Sequence, residues 1–244
     1  MANRNTISFR EAELIDTDVQ VLKELESLTN KEFSRLWEID YDTEMGFTSA
    51  NNRVLGLGLY QCELTALPNS VGRLISLKEL WLRDNNFSTL PESMSNLKSL
   101  EVLDLNENNL TTLPDFIAEF FSLKNLLVRN NAINTIPESI DNLQSLEQLN
   151  LGGNNLTSIP ESIGNLKSLK ELWLYENQIT KLPGSIGNLK SLQRLHLGNN
   201  DLSTLPESVG NLTSLKELDL YGNSFNILPD CVKKLEKWGI EINK

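Results

Sequence analysis

The chain of 244 residues carries a single histidine, His196, and two cysteines, Cys62 and Cys231. One histidine excludes zinc sites built on several of them and a serine or cysteine triad. There is no G-x-x-x-x-G-K-[ST] loop and no G-x-G-x-x-G, and Gly56-Leu57-Gly58 falls inside an expected strand. No apolar run is long enough to span a bilayer. Positive charge is scarce: 22 Lys and Arg stand against 33 Asp and Glu, a formal net charge of −11. The deficit is spread, with 6 basic and 11 acidic residues in 1–53 and 16 and 22 thereafter. Binding to nucleic acid or an anionic membrane surface is therefore disfavoured. These absences imply no catalytic residues, no metal and no cofactor. The opening Met1-Ala2-Asn3-Arg4-Asn5 is polar, without the apolar core of a secretory signal.

What the chain does have is periodicity. All eight prolines, Pro68, Pro91, Pro114, Pro137, Pro160, Pro183, Pro206 and Pro229, fall 23 residues apart. A fixed period in this range means one supersecondary unit copied and stacked. The unit reads L-x-x-L-x-L-x-x-N-x-L-x-x-L-P-x-x-I-x-x-L-x-S, as in Leu146, Leu149, Leu151, Asn154, Leu156, Ile159, Pro160, Ile163, Leu166 and Ser168. Leu149 and Leu151 flank outward Asn150, which is strand periodicity with one buried face. Proline fixes φ and donates nothing, which suits the first residue of a helical turn. Glu92, Glu138, Glu161 and Glu207 follow their prolines at the positive end of that turn, and Lys98, Lys167 and Lys190 stand near the other end.

Eight in-register copies of this unit resemble the leucine-rich repeat over about three quarters of the chain. The L-P-x-x-I-G-x-L variant, as in Leu205-Pro206 with Val209-Gly210 and Leu212, looks like the intracellular Ras-suppressor and scribble subfamily. The expected fold is α/β: a right-handed, horseshoe-shaped solenoid with a concave parallel sheet and short helical or 3-10 turns on the convex side. We assign residues 1–53 to an N-terminal cap, 54–237 to eight repeats and 238–244 to a C-terminal capping strand. In the cap, Asp18 to Leu28 has helical spacing, with Thr17 or Asp18 as N-cap. A second short helix is expected to hold Phe33, Leu36 and Trp37, with Trp37 and Phe47 as core plugs. Met45–Ser49 is expected to pair with Arg53–Leu57 around Asn51-Asn52. Cys231 to Lys237 reads as a helix, and Gly239 to Ile242 as an edge strand protected by Glu241 and Lys244.

Four columns of side chains emerge from the alignment. Asn85, Asn108, Asn131, Asn154, Asn177, Asn200 and Asn223 form a structural spine, with Cys62 in their place in the first unit. The second position runs Lys78, Glu101, Lys124, Glu147, Lys170, Gln193 and Lys216, placing opposite charges on neighbouring strands. The outward fifth and seventh positions hold two clusters: Trp81, Arg83, Asp104, Leu127 and Arg129, then Trp173, Tyr175, His196, Asp219 and Tyr221. Asn150, Gly152 and Gly153 are expected to leave a flat strip between them. Tryptophan, tyrosine and arginine dominate interface energetics, so both clusters are candidate partner contacts and the second is the main one. Shared ancestry of the two S-L-K-E-L-W-L strings, or stacking between strands, would account for the same aromatics without a partner.

The function expected is a non-enzymatic scaffold that binds another protein on the concave face. A monomer is expected. The resemblance implies intracellular signalling partners, small GTPases or phosphatases among them. A glycan or small-ligand recognition module is the alternative, as is the repeat part of a larger regulatory protein; Met1 and the cap at 230–242 argue against the latter. Cys62 and Cys231, about 34 Å apart at 4.8 Å per strand, lie beyond disulfide reach. No cysteine-clustered caps are present, so the cytoplasm is the expected location. The sequons at Asn86, Asn109, Asn155 and Asn211 are by-products of the repeat.

Overall fold

The computed structural model describes residues 6–244. Strands β1 (Thr6–Phe9) and β2 (Ala12–Ile15) make a hairpin turned at Arg10 and Glu11, both at positive φ. Helix α1 (Asp16–Thr29) follows, and Asn30 ends it in the left-handed conformation. Neither Thr17 nor Asp18 is its N-cap, contrary to expectation: Ile15 holds that position without a side-chain bond. Asp18 is wholly buried, and its Oδ2 accepts from Arg53 Nε at 3.0 Å and from the Val54 N–H at 2.9 Å.

The expected second helix is absent. Ser34–Arg35 is instead a two-residue strand, β3, held to β4 (Gly46–Ala50) by backbone bonds from Ser34 to Met45 and Leu36 to Phe47, each 2.8 Å. Phe33 and Phe47 are buried edge to face, whereas Trp37 is 100% exposed and plugs nothing. Three apolar residues within five positions were too few to separate a helix from an extended edge. The hairpin of β4 with β5 (Arg53–Gly58) forms as expected, with Asn51 and Asn52 at positive φ in its turn.

Seven three-residue strands then recur at the repeat spacing: β6 (Glu79–Trp81), β7 (Val102–Asp104), β8 (Asn125–Leu127), β9 (Gln148–Asn150), β10 (Glu171–Trp173), β11 (Arg194–His196) and β12 (Glu217–Asp219). Helix α2 (Asp230–Lys237) and strand β13 (Glu241–Asn243) close the chain's course. Strands β3 to β13 build one eleven-stranded sheet in sequence order, parallel except at the β4–β5 hairpin. In each unit the fourth and sixth residues, such as Leu149 and Leu151, point inward and are fully buried.

The return segments are 3-10 turns of five residues, from Asn69–Arg73 to Glu207–Asn211. Each proline stands one residue earlier than expected. It precedes the turn with extended backbone (Pro160 φ −69°, ψ 154°), and its carbonyl accepts the first bond, from Ile163 N–H at 3.2 Å. Residues three apart eclipse in a 3-10 turn, so Ile163 and Leu166 face the core together. The result is a solenoid with the sheet lining its concave face and the turns its convex face.

The asparagine column hydrogen-bonds from turn to turn. Asn154 donates to the carbonyls of Val128 and Leu151, both at 3.0 Å, and of Gly152 at 3.3 Å, while its Oδ1 accepts from Ile133 N–H at 3.0 Å. Cys62 substitutes in the first unit by donating its thiol to the Tyr60 carbonyl at 3.3 Å, and burial pushes that thiol up to about 11. Of the turn charges, Lys190 caps its own turn by donating to the Gly187 carbonyl at 2.7 Å. Glu161 reaches instead to the next turn, accepting from Ser185 N–H at 3.0 Å.

In the second-position column, Glu101 sits between Lys78 at 3.0 Å and Lys124 at 2.7 Å, and Glu147 pairs with Lys170 at 2.6 Å. The two lysines hold Glu101 below the usual carboxylate range, so its contribution is present above that range and is lost as pH falls through it. Glu101→Gln is expected to cost about 1 kcal/mol in low salt and less in high salt. Thermal melts at both salt levels check this, and an equal loss at both would contradict the pairing.

Candidate functional site

Alternation along each three-residue strand turns two positions to the concave side. The fifth residue of the unit, considered above, is one of them. The third is the other, and it was missed: Glu79, Val102, Asn125, Gln148, Glu171, Arg194 and Glu217 stand beside the expected site residues. The signal was available, since the third residue lies two before the fifth and shares its face.

The second cluster comes together around Trp173. Its indole stacks on His196 with ring centroids 4.0 Å apart and planes 8° from parallel. Tyr175 meets the indole edge to face at 6.3 Å. The Glu171 carboxylate accepts from the indole N–H at 3.4 Å and pairs with Arg194. Glu217 Oε1 and Asp219 Oδ2 stand 3.5 Å and 4.0 Å from the two imidazole nitrogens. His196 is thus committed to a stack, its side chain only 12% exposed. Tyr221 remains apart, 58% exposed and outside the stack.

The strip around Gly152 is not bare. A Cβ on Gly152 would fall 2.5 Å from Tyr175 Cζ, so the phenol ring lies over the glycine and fills the expected gap. Arg129, placed by sequence in the first cluster, joins the second: its guanidinium sits 5.9 Å from the Tyr175 ring centroid. Arg129, Tyr175, Trp173 and His196 therefore make one platform reaching from the end of β8 to β11.

The first cluster does not form a comparable platform. Arg83 turns toward the cap, 5.5 Å from the Tyr41 ring and 5.8 Å from Tyr60, and pairs with Glu107 at 3.0 Å. Leu127 is half-buried. Asp104, aligned between Trp81 and Leu127, is 0% exposed although its position points outward. Its Oδ1 accepts from Asn106 N–H at 2.8 Å, while Oδ2 is buried without a hydrogen-bond partner. A loop of the N-terminal segment covers the strand before these, and Gly58 is what admits it. A Cβ there would fall 2.8 Å from the Thr43 carbonyl oxygen. Neither Tyr41 nor this loop was foreseen, because nothing in its composition marks a packing partner.

Burial pushes Asp104 up to about 6, against a modest opposing pull from the Asn106 N–H and Arg83. A folded-state value above the unfolded one means the proton stabilises the fold, fully at low pH and no longer once pH rises through about 6. Asp104→Asn removes the charged form and keeps the Asn106 bond. It is expected to raise stability by about 2–3 kcal/mol above pH 6.5 and by little near pH 4. Urea titrations at both pH values check the sign, and a loss of stability at neutral pH would contradict it.

Among the described residues no group of three or more histidine, cysteine, aspartate or glutamate side chains could hold a metal. No described helix is long and apolar enough to cross a membrane. Cys62 and Cys231 are both free and buried.

Comparison with known proteins agrees with this geometry. The family described as "Leucine-rich repeat region" matches residues 50–155 and 148–238. The PEPR1–AtPEP1 complex contains a chain 33% identical to this one, with a TM-score of 0.71, covering 86% of this chain and 32% of that one. The ectodomain of the plant membrane receptor kinase GASSHO1/SCHENGEN3 from Arabidopsis thaliana, in complex with CASPARIAN STRIP INTEGRITY FACTOR 2, is 28% identical with a TM-score of 0.68. That match covers 90% of this chain and 25% of the receptor's. The Leptospira interrogans protein LIC12759 is 29% identical with a TM-score of 0.49, covering 78% of this chain and 72% of its own. This chain thus spans about a third of the PEPR1–AtPEP1 chain and a quarter of the GASSHO1/SCHENGEN3 chain. A comparison with curated proteins found no match. With its 23-residue unit, its asparagine column and a family match running from residue 50 to 238, the chain belongs to the leucine-rich repeat family.

Proposed function

We propose that the protein is a non-enzymatic interaction module that docks another protein on its concave face, with the Trp173–Tyr175–His196 platform as the main contact. The observation that carries this reading is the platform itself. Stacked aromatic pairs add about 0.5–1.5 kcal/mol each, and a ring set fixed before binding loses little entropy on docking. Solvent-facing strands do not need such rings for solubility. Two of the similar structures are named as plant receptors in complex, GASSHO1/SCHENGEN3 with CASPARIAN STRIP INTEGRITY FACTOR 2 and the peptide hormone receptor RGFR1 with RGF2, which is consistent with the same use of the scaffold here.

The remaining parts of the reading have narrower support. The L-P-x-x-I-G-x-L units favour the Ras-suppressor and scribble subfamily, and a small-GTPase partner rests on that resemblance. Two buried, unpaired cysteines favour a reducing cytoplasm. The single histidine, packed against an indole, favours binding over catalysis.

Trp173→Ala with Tyr175→Ala is expected to weaken the partner at least thirtyfold, the scale of a loss of about 2 kcal/mol or more. The partner is identified by affinity purification from the source cell and then titrated as a purified protein. The circular dichroism spectrum is expected to stay unchanged. An unchanged dissociation constant would refute the proposal.

A further inference from the structure

We infer that Asp104 is the acceptor for a cationic side chain, lysine or arginine, carried by the docking partner. The inference rests on the docking reading above and adds a charge requirement to it. Within the described residues, three buried polar atoms without hydrogen-bond partners gather on adjacent strands of the concave face: Trp81 Nε1, Arg83 Nε and Asp104 Oδ2. On the platform around Trp173 only His196 Nε2 is left so, with Glu217 Oε1 3.5 Å away, and the indole N–H there has an acceptor in Glu171. A buried acceptor left unpaired carries the full desolvation penalty, about 1–3 kcal/mol and more when charged. A donor arriving with the partner recovers that penalty on binding. A protein leaves such a debt on its docking face at a cost to its own stability, which is the cost that Asp104→Asn is expected to remove.

A cation fits better than a neutral donor for two reasons. Among the described residues the guanidinium bearing on Asp104 belongs to Arg83, and Glu107 already engages it at 3.0 Å. Glu107 also adds negative potential at Asp104, and Glu79 lies on the same face one strand away. Arg129, two strands from Trp81, is turned to Tyr175. The second reason is Trp81. It stands beside Asp104 in the register that sets Trp173 beside His196. An indole on the neighbouring strand offers a π system to an incoming ammonium or guanidinium beside the carboxylate.

The probe is fluorescein-labelled hexa-arginine, followed by fluorescence anisotropy in low salt. Asp104→Asn is expected to weaken binding about tenfold, while Glu138→Gln on the convex turn leaves it unchanged. In the native chain, binding is expected to weaken as pH falls from about 7 to about 5, a dependence lost in Asp104→Asn. No binding to the native chain, equal binding by Asp104→Asn, or equal weakening by Glu138→Gln would overturn the inference. Misfolding is separated from loss of the site by the urea titration, in which Asp104→Asn is expected to be the more stable chain. The two readings fail separately. If Trp173→Ala with Tyr175→Ala releases the partner but hexa-arginine ignores Asp104, only the cation subsite is wrong. If hexa-arginine depends on Asp104 but the partner survives the double substitution, the platform is wrong.

Discussion

Asp18→Ala is expected to cost about 3–5 kcal/mol, because it strands a buried guanidinium. Arg53 Nε loses its carboxylate partner, and the Val54 N–H loses its acceptor in the same step. The remaining bond of Arg53, from Nη2 to the Arg73 carbonyl at 3.2 Å, does not neutralise its charge. The pair joins α1 to the first strand of the stack, so the loss uncouples the N-terminal elements from the repeats. Urea denaturation is expected to show an early, separate transition for residues 6–50, with hydrogen exchange rising first in α1. A loss below about 1 kcal/mol would place the pair among exposed salt bridges and contradict its structural role. Replacing both partners by apolar residues is expected to recover much of the loss, since the desolvation cost disappears with the charges.

Asn154→Ala is expected to cost about 3 kcal/mol or more. The amide serves three carbonyls and one N–H from two neighbouring units, and alanine leaves them buried and unpaired at about 1–3 kcal/mol each before relaxation. Position within the stack matters, because each unit touches only its neighbours. Asn223 is half-buried near the end of the stack, so Asn223→Ala is expected to cost less than half as much. The central substitution splits the array, and unfolding is expected to lose its single transition. Urea titration followed at two wavelengths checks both points. Equal losses at the two positions would contradict a ladder whose strength depends on burial.

These two substitutions mark where sequence was readable and where it was not. Asn154 was legible because its role repeats: seven asparagines at one spacing leave little choice but a common backbone function. Asp18 was not, because its partner Arg53 lies 35 residues away outside any periodic pattern, and a carboxylate near a helix start has an obvious local use. Trp37 fell to the same difficulty, since no repeat constrains the first fifty residues. Within the array, column positions were legible but rotamers were not. Alignment put Trp173 and His196 on adjacent strands, yet their stacking is a matter of side-chain rotation. Gly152 looked like emptiness and is instead the space that Tyr175 occupies. Arg129 crosses from one expected cluster to the other for the same reason, drawn along the face by a ring two strands away. Asp104 stood in an outward column, and only its neighbours determine that the carboxylate is covered.

The docking face is tested most directly by hydrogen exchange on the protein with and without its purified partner. Protection is expected in the segments that line the concave side, 79–85, 102–107, 171–177 and 194–199. The convex turns at 138–142, 161–165 and 184–188 are expected to exchange at unchanged rates. Protection confined to those turns, with 171–177 unaffected, would contradict docking on the sheet.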